Sequence, residues 1–118
     1  MKSYQIWLQA LRKRLAAAAA EAEPLVEQGR FGDAETLVRA VDNDIYGSVA
    51  LGDMFTRALE RVVQSPHPDR ALAQALYERA LYWRSAWPGV HTREEAEPAH
   101  VEEVRDELTR LLARLPES

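Results

Sequence analysis

A chain of 118 residues, 47% hydrophobic and 29% charged, has the size and composition to fold as a single domain over residues 1–118 around its own core. It contains no cysteine, which excludes disulfides, thiolate metal sites and cysteine nucleophiles. A net charge of −4 argues against general affinity for nucleic acid.

The N-terminus begins with Lys2 and the apolar Ile6, Trp7 and Leu8, but Arg12-Lys13-Arg14 interrupts the run too early for a signal peptide. No segment approaches the roughly 20 apolar residues of a membrane span, so a cytoplasmic location is expected. Lysine occurs only at Lys2 and Lys13 while arginine and alanine abound, a usage that looks like GC-rich bacterial coding bias. Ser3 is placed to cap a first helix reaching about Glu23, with Ala16 to Ala20 as strong helix formers. Pro24 then kinks that helix or opens a short continuation ending at Gly29. Gly32-Asp33 predicts a turn, with Asp33 capping a second helix over about Ala34 to Val41.

A third helix starts at Asn43 or Asp44 and runs through Gln64, burying Ile45, Val49, Gly52, Phe55, Leu59 and Val62 or Val63. Gly47 and Gly52 each cost about 1 kcal/mol relative to alanine in a helix, and the expected compensation is close approach of another backbone. Ser65-Pro66-His67-Pro68-Asp69 is a break, from which Pro68 or Asp69 opens a fourth helix reaching about Trp87, where Pro88-Gly89 stops it. Thr92-Arg93-Glu94-Glu95 reads as a capping box, Pro98 fits the first turn of the last helix, and Pro116 ends it. No run alternates β-branched with polar residues. The expected fold is all-α: a single-domain bundle of four to five helices with antiparallel neighbours and short loops.

The first and last helices carry apolar stripes at heptad steps: Tyr4, Leu8, Leu11, Leu15, Ala18, Ala22 and Leu25 in one, Val101, Val104, Leu108, Leu111 and Leu115 in the other. Such stripes demand helix-on-helix packing. Lys2, Arg12, Lys13 and Arg14 mark the first helix, with no acid before Glu21. Glu94, Glu95, Glu97, Glu102, Glu103, Asp106 and Glu107 crowd the last. The opposite charges predict that these two helices pair and close the bundle. The same pairing accounts for Arg12-Lys13-Arg14 without a nucleic-acid or membrane partner, and the stripes equally allow pairing with a second copy in a homodimer.

Glu27 to Ala40 resembles the internal turn and second helix of a tetratricopeptide repeat: Gly29 ends one helix, Phe31 follows two residues later, and Ala34 permits close packing of the next. Ala50-Leu51-Gly52 with Phe55 is similar to positions of such a repeat's first helix, and Ala73, Tyr77 and Ala80 to its second. The matches cover about half the chain and do not keep the 34-residue register of these repeats. The resemblance implies tetratricopeptide-like hairpins and a peptide- or protein-binding scaffold, but it designates no binding residue.

Glu97-x-x-His100 has the glutamate–histidine spacing of carboxylate-bridged dimetal bundles, making Glu97 and His100 the candidate metal ligands. Only one copy is present, and acids in a first helical turn also suit the helix dipole, so a solvated acidic turn is the expected reading. His67 and His91 lie in the proline-containing loops with no serine nucleophile arranged beside them, and no phosphate-binding loop or dinucleotide fingerprint occurs. No catalytic residue and no cofactor are assigned. Tyr77, Tyr82, Trp83 and Trp87 make the fourth helix the aromatic one. Leu72, Leu76, Ala80, Trp83 and Trp87 share its core face, while Arg79, Tyr82 and Arg84 are candidate partner-binding residues of the types enriched at binding hot spots. The expected function is a non-enzymatic interaction module of the adaptor, chaperone or inhibitor type, whose partner is another protein or peptide. A metal-binding bundle enzyme and a small-ligand-sensing regulatory domain are the alternatives.

Overall fold

Alanine carries the first helix past its expected end: in the computed structural model, which describes residues 2–85 and 98–116, α1 runs Lys2–Glu27 with Pro24 inside it. Ser3 therefore lies within the helix instead of capping it. Pro24 and Ala20 are both exposed, so the Ala20 carbonyl that loses its amide donor faces water. The helix stops at Gly29, whose φ of 77° is left-handed. The Gly29 amide donates to Val26 O at 3.0 Å and the Arg30 amide to Leu25 O at 2.8 Å, the paired closure of a glycine-terminated helix.

The second helix starts earlier than the Gly32-Asp33 turn predicted: α2 runs Phe31–Arg39. Asp33 is not its cap. Its carboxylate, in the first turn where the helix dipole favours an acid, pairs with Arg30 at 2.8 Å. α3 runs Ile45–Gln64, as its sequence predicts, but Asp44 makes no side-chain cap. Asp42 supplies one instead, its Oδ2 accepting from the Gly47 amide at 2.8 Å. α4 runs Arg70–Ser85, and Asp69 Oδ1 accepts from the Leu72 amide at 3.0 Å in the expected capping role. α5 runs Pro98–Leu112. Trp87, Pro88-Gly89, His91 and the capping box at Thr92 lie outside the described residues.

Each helix packs antiparallel to its neighbour in sequence, and α3 also touches α1 and α5. The pairings fix the directions. Tyr4 meets Tyr46 at one end of α1 and α3, and Glu23 approaches Arg61 at the other, so those two helices run parallel. Phe31 and Arg39 of α2 meet Arg79 and Trp83 of α4 respectively, a second parallel relation. α4 opposes α5, with Tyr77 beside Thr109 and Arg70 on the Pro116 carbonyl. The result is two layers, α1, α3 and α5 in one and α2 and α4 in the other.

The expected closure of first helix on last does not occur. α3 separates α1 from α5, and each apolar stripe is consumed by its own hairpin partner and by α3. Short connections enforce this, because they bring sequence neighbours together first.

α3 is the buried helix. Leu51, Phe55 and Leu59 are fully buried, and Met54, Ala58 and Val63 nearly so, joined in one core by Val26, Val38, Leu76 and Leu108. Each such Leu or Phe contributes about 1.5–3 kcal/mol on leaving water. The single-stripe expectation for α3 fails at Val49, which is 53% exposed, because the buried face is wider and rotated toward α4. Along the α1 stripe Leu11, Leu15, Ala18 and Ala22 are buried, Leu25 is half-buried with its neighbour Val26 taking the core position, and Tyr4 at the other end is 53% exposed.

The expected approach of a backbone is present at Gly47, whereas at Gly52 the close neighbour is a side chain. A Cβ on Gly47 would stand 1.8 Å from the Asp42 carbonyl oxygen, and one on Gly52 would stand 2.7 Å from Arg84 Cγ of α4. Gly32, inside α2 at ordinary φ, has nothing within 4 Å. Alanine at the two positions must therefore act in opposite directions. Gly32→Ala is expected to raise thermal stability by up to about 1 kcal/mol through helix propensity. Gly47→Ala is expected to lower it by about 1–3 kcal/mol through the displaced Asp42 backbone, and thermal denaturation of both variants checks the signs.

Candidate functional site

Three groups of side chains connect the helices outside the core. The first joins α2 to α4. Glu35, with its side chain 12% exposed, accepts from Arg79 Nη1 at 2.7 and 2.8 Å and from Trp83 Nε1 at 2.7 Å. The Arg79 guanidinium stands 5.6 Å from the Phe31 ring centroid and that of Arg39 5.9 Å from Trp83. Helical spacing explains the geometry: Phe31, Glu35 and Arg39 are four residues apart on α2, as Arg79 and Trp83 are on α4. Arg79, a candidate partner-binding residue, is thus engaged inside the fold. Tyr82 stands beside this group, 43% exposed, its ring edge-on to Trp83 at 5.0 Å.

The second group joins α4 to α5. Arg84 forms a two-pronged pair with Glu107, Nη2 donating to Oε1 at 3.0 Å and Nη1 to Oε2. The Arg84 hydrogen bond holds the Glu107 carboxyl below its ordinary range, and the same bond raises the Arg84 pKa. His100 Nε2–H donates to the Arg84 carbonyl at 3.1 Å. Glu97 lies outside the described residues. Among the described residues no three histidine, aspartate or glutamate side chains gather where they could hold a metal ion. Ser85 Oγ, at the buried end of α4, has no hydrogen-bond partner.

The third group lies on α1 and α3. Tyr4 and Tyr46 share a hydrogen bond of 2.9 Å between their hydroxyls, which raises the Tyr46 pKa, and Trp7 packs on both rings at 5.7 and 6.1 Å. Alongside runs a groove of about 630 Å³ lined by apolar Leu15, Ala19, Ile45, Val49, Ala50 and Met54, with Arg12, Glu23, Asp53 and Arg57 at its rim. A polar cleft of about 450 Å³ between α3, α4 and α5 holds Thr56, Glu60, Arg84, His100 and Glu107. Val49 and Asp53 line both, so the two form one continuous surface.

Sequence reasoning placed the contact surface on α4, and the structure divides those residues. Arg84 lines the polar cleft, whereas Arg79 and Tyr82 line a separate depression between α2 and α4. Val49 was assigned to the core. A single apolar stripe cannot distinguish Val49, which is 53% exposed, from Leu51, Phe55 and Leu59, which α4 and the other helices cover. Among the described residues no helix is long and apolar enough to cross a membrane. No protein-family model, no curated protein and no solved structure matches the chain.

Two outcomes follow from the ion pairs. Glu35→Ala strands the Trp83 N–H and the Arg79 charge and is expected to cost about 1–3 kcal/mol in chemical denaturation. Glu107 has a folded pKa below the 4.5 of a free glutamate, so its contribution is complete above that range and is lost as acid protonates it. Both partners are partly exposed, which limits the gain to about 1 kcal/mol. Glu107→Gln should therefore be less stable than the wild type near pH 7 and converge with it as the pH falls through the lowered folded pKa.

Proposed function

We propose that the protein is a non-enzymatic interaction module whose α1–α3 groove receives an amphipathic helix from a partner protein. The observation that carries this reading is the apolar groove itself, floored by Leu15, Ala19 and Met54 and centred on the half-exposed Val49. A branched aliphatic side chain near the start of α3, flanked by apolar residues from a parallel helix, offers a partner the area that binding requires. The rim carries both signs of charge, which suits an apolar stripe flanked by acids and bases and gives orientation more than affinity.

The parallel setting of α1 and α3, with α2 and α4 behind them, supports the tetratricopeptide-like reading of these hairpins. The left-handed Gly29 at the end of α1 and the full burial of Ala34 and Ala73 favour this reading. In this reading Tyr82 and Arg79, on the α2–α4 side, form a separate surface.

Val49→Glu places a charge in the groove at a position where the fold does not need burial. A protein captured by the wild type should bind at least about tenfold more weakly to Val49→Glu, a change of about 1.4 kcal/mol, while helicity and melting temperature hold. Tyr82→Ala serves as the comparison. Binding lost on Tyr82→Ala but kept on Val49→Glu assigns the contact to α4 and refutes the groove, as does the absence of any specific partner.

A further inference from the structure

α1 carries its charges in an order that its own stability does not explain. Lys2, Arg12, Lys13 and Arg14 fill its first half, and Glu21, Glu23 and Glu27 its second. A helix dipole favours the reverse, and α1 has no acid in its first turn and no base in its last. Nor does the rest of the fold neutralise the pattern. α1 is not packed against the acidic α5, and among the described residues Arg12, Lys13, Arg14, Glu21 and Glu27 join no ion pair.

At 100° per residue, Ile6, Ala10, Lys13, Arg14, Ala17 and Glu21 share one arc of about 100° on α1, beside its buried line of Leu11, Leu15, Ala18 and Ala22. All six are exposed, Ile6 by 66%, and the neighbouring Trp7 is 51% exposed. The outer edge of α1 is thus a partly apolar helix face with a positive half and a negative half. The opposite edge of the layer differs: the outer residues of α5, Glu102, Glu103, Asp106 and Arg110, are polar and exposed, a surface finished for water.

We propose that the outer edge of α1 pairs with the same edge of a second copy, the two helices antiparallel across a two-fold axis. Arg14 and Glu21 are seven residues, about 10.5 Å, apart along the axis, symmetric about a point between Ala17 and Ala18. Antiparallel alignment at that point sets Lys13 and Arg14 of each copy against Glu21 of the other, and satisfies both halves at once. Ala10 and Ala17 let the axes approach to about 8 Å. The two macrodipoles then oppose, which removes the unfavourable charge order that a lone α1 carries. A two-fold contact uses the edge once per copy and closes, leaving α5 in solvent. The edge is distinct from the groove facing α3, so this inference and the proposed partner contact stand or fall separately.

Sedimentation over a concentration series tests it on the full chain. The wild type should be dimeric, and its dissociation constant should rise in about 1 M salt, where the screening length is about 3 Å. Lys13→Glu with Arg14→Glu sets like charges against each other, and so does Glu21→Arg. Each variant alone should dimerise at least about tenfold more weakly, with circular dichroism unchanged. An equimolar mixture of the two restores opposite charges on both sides of the axis and should form a heterodimer of near wild-type affinity. A monomeric wild type at every concentration overturns the proposal. So does a dimer indifferent to both variants, or a mixture that stays monomeric.

Discussion

Everything in this fold depends on covering α3. Its buried residues, Leu51, Met54, Phe55, Ala58, Leu59 and Val63, spread too far round the helix for one neighbour to hide. Four helices are needed, and α3 contacts all four. That demand decides which face each of the others turns inward: Leu15 and Ala22 of α1, Ala34 and Val38 of α2, Ala73 and Ala80 of α4, Val104 and Leu108 of α5. The small residues among them are at the tight crossings. Gly52 lies against Arg84, and Ala34 and Ala80 are wholly buried.

Apolar packing alone leaves helices free to slide, and the polar contacts remove that freedom. Glu35 fixes α2 against α4 because two N–H donors from Arg79 and Trp83 converge on one carboxylate. Arg84 and Glu107 do the same for α4 and α5. These residue types also make binding hot spots, which is why the sequence alone pointed to them as contact residues. An arginine already held by a carboxylate has less to offer a partner than its composition suggests. The surface that is apolar and open lies instead on α1 and α3, at Val49 and the aromatic group of Tyr4, Trp7 and Tyr46.

α1 is therefore asked to do two things beyond supporting α3. Its α3-facing side forms a wall of the groove proposed to hold a partner helix, and its outer edge carries the charge order proposed to hold a second copy. The length of the helix makes both available. At 26 residues it outreaches the nine-residue α2 that covers it, so its N-terminal turns stay open to solvent.

Local chemistry in the sequence was enough for the helical class, for a count of four to five helices and for most of the breaks between them. Gly29 closes α1, Asp69 caps α4, and the prolines after Ser65 admit no helix. It also identified Gly47 and Gly52 as sites of close approach. Where it went astray, at Ser3, Asp33 and Val49, two local signals competed or a single stripe was assumed. Which helices pair was decided only by the tertiary structure. Opposite charges drew α1 toward α5 on paper, but charge pairs at a surface are worth about 1 kcal/mol or less, against several for each large side chain buried on α3. Short loops and the wide apolar face of α3 outweighed that attraction. They placed α3 between α1 and α5, leaving the basic half of α1 and the acids of α5 on opposite edges of one layer.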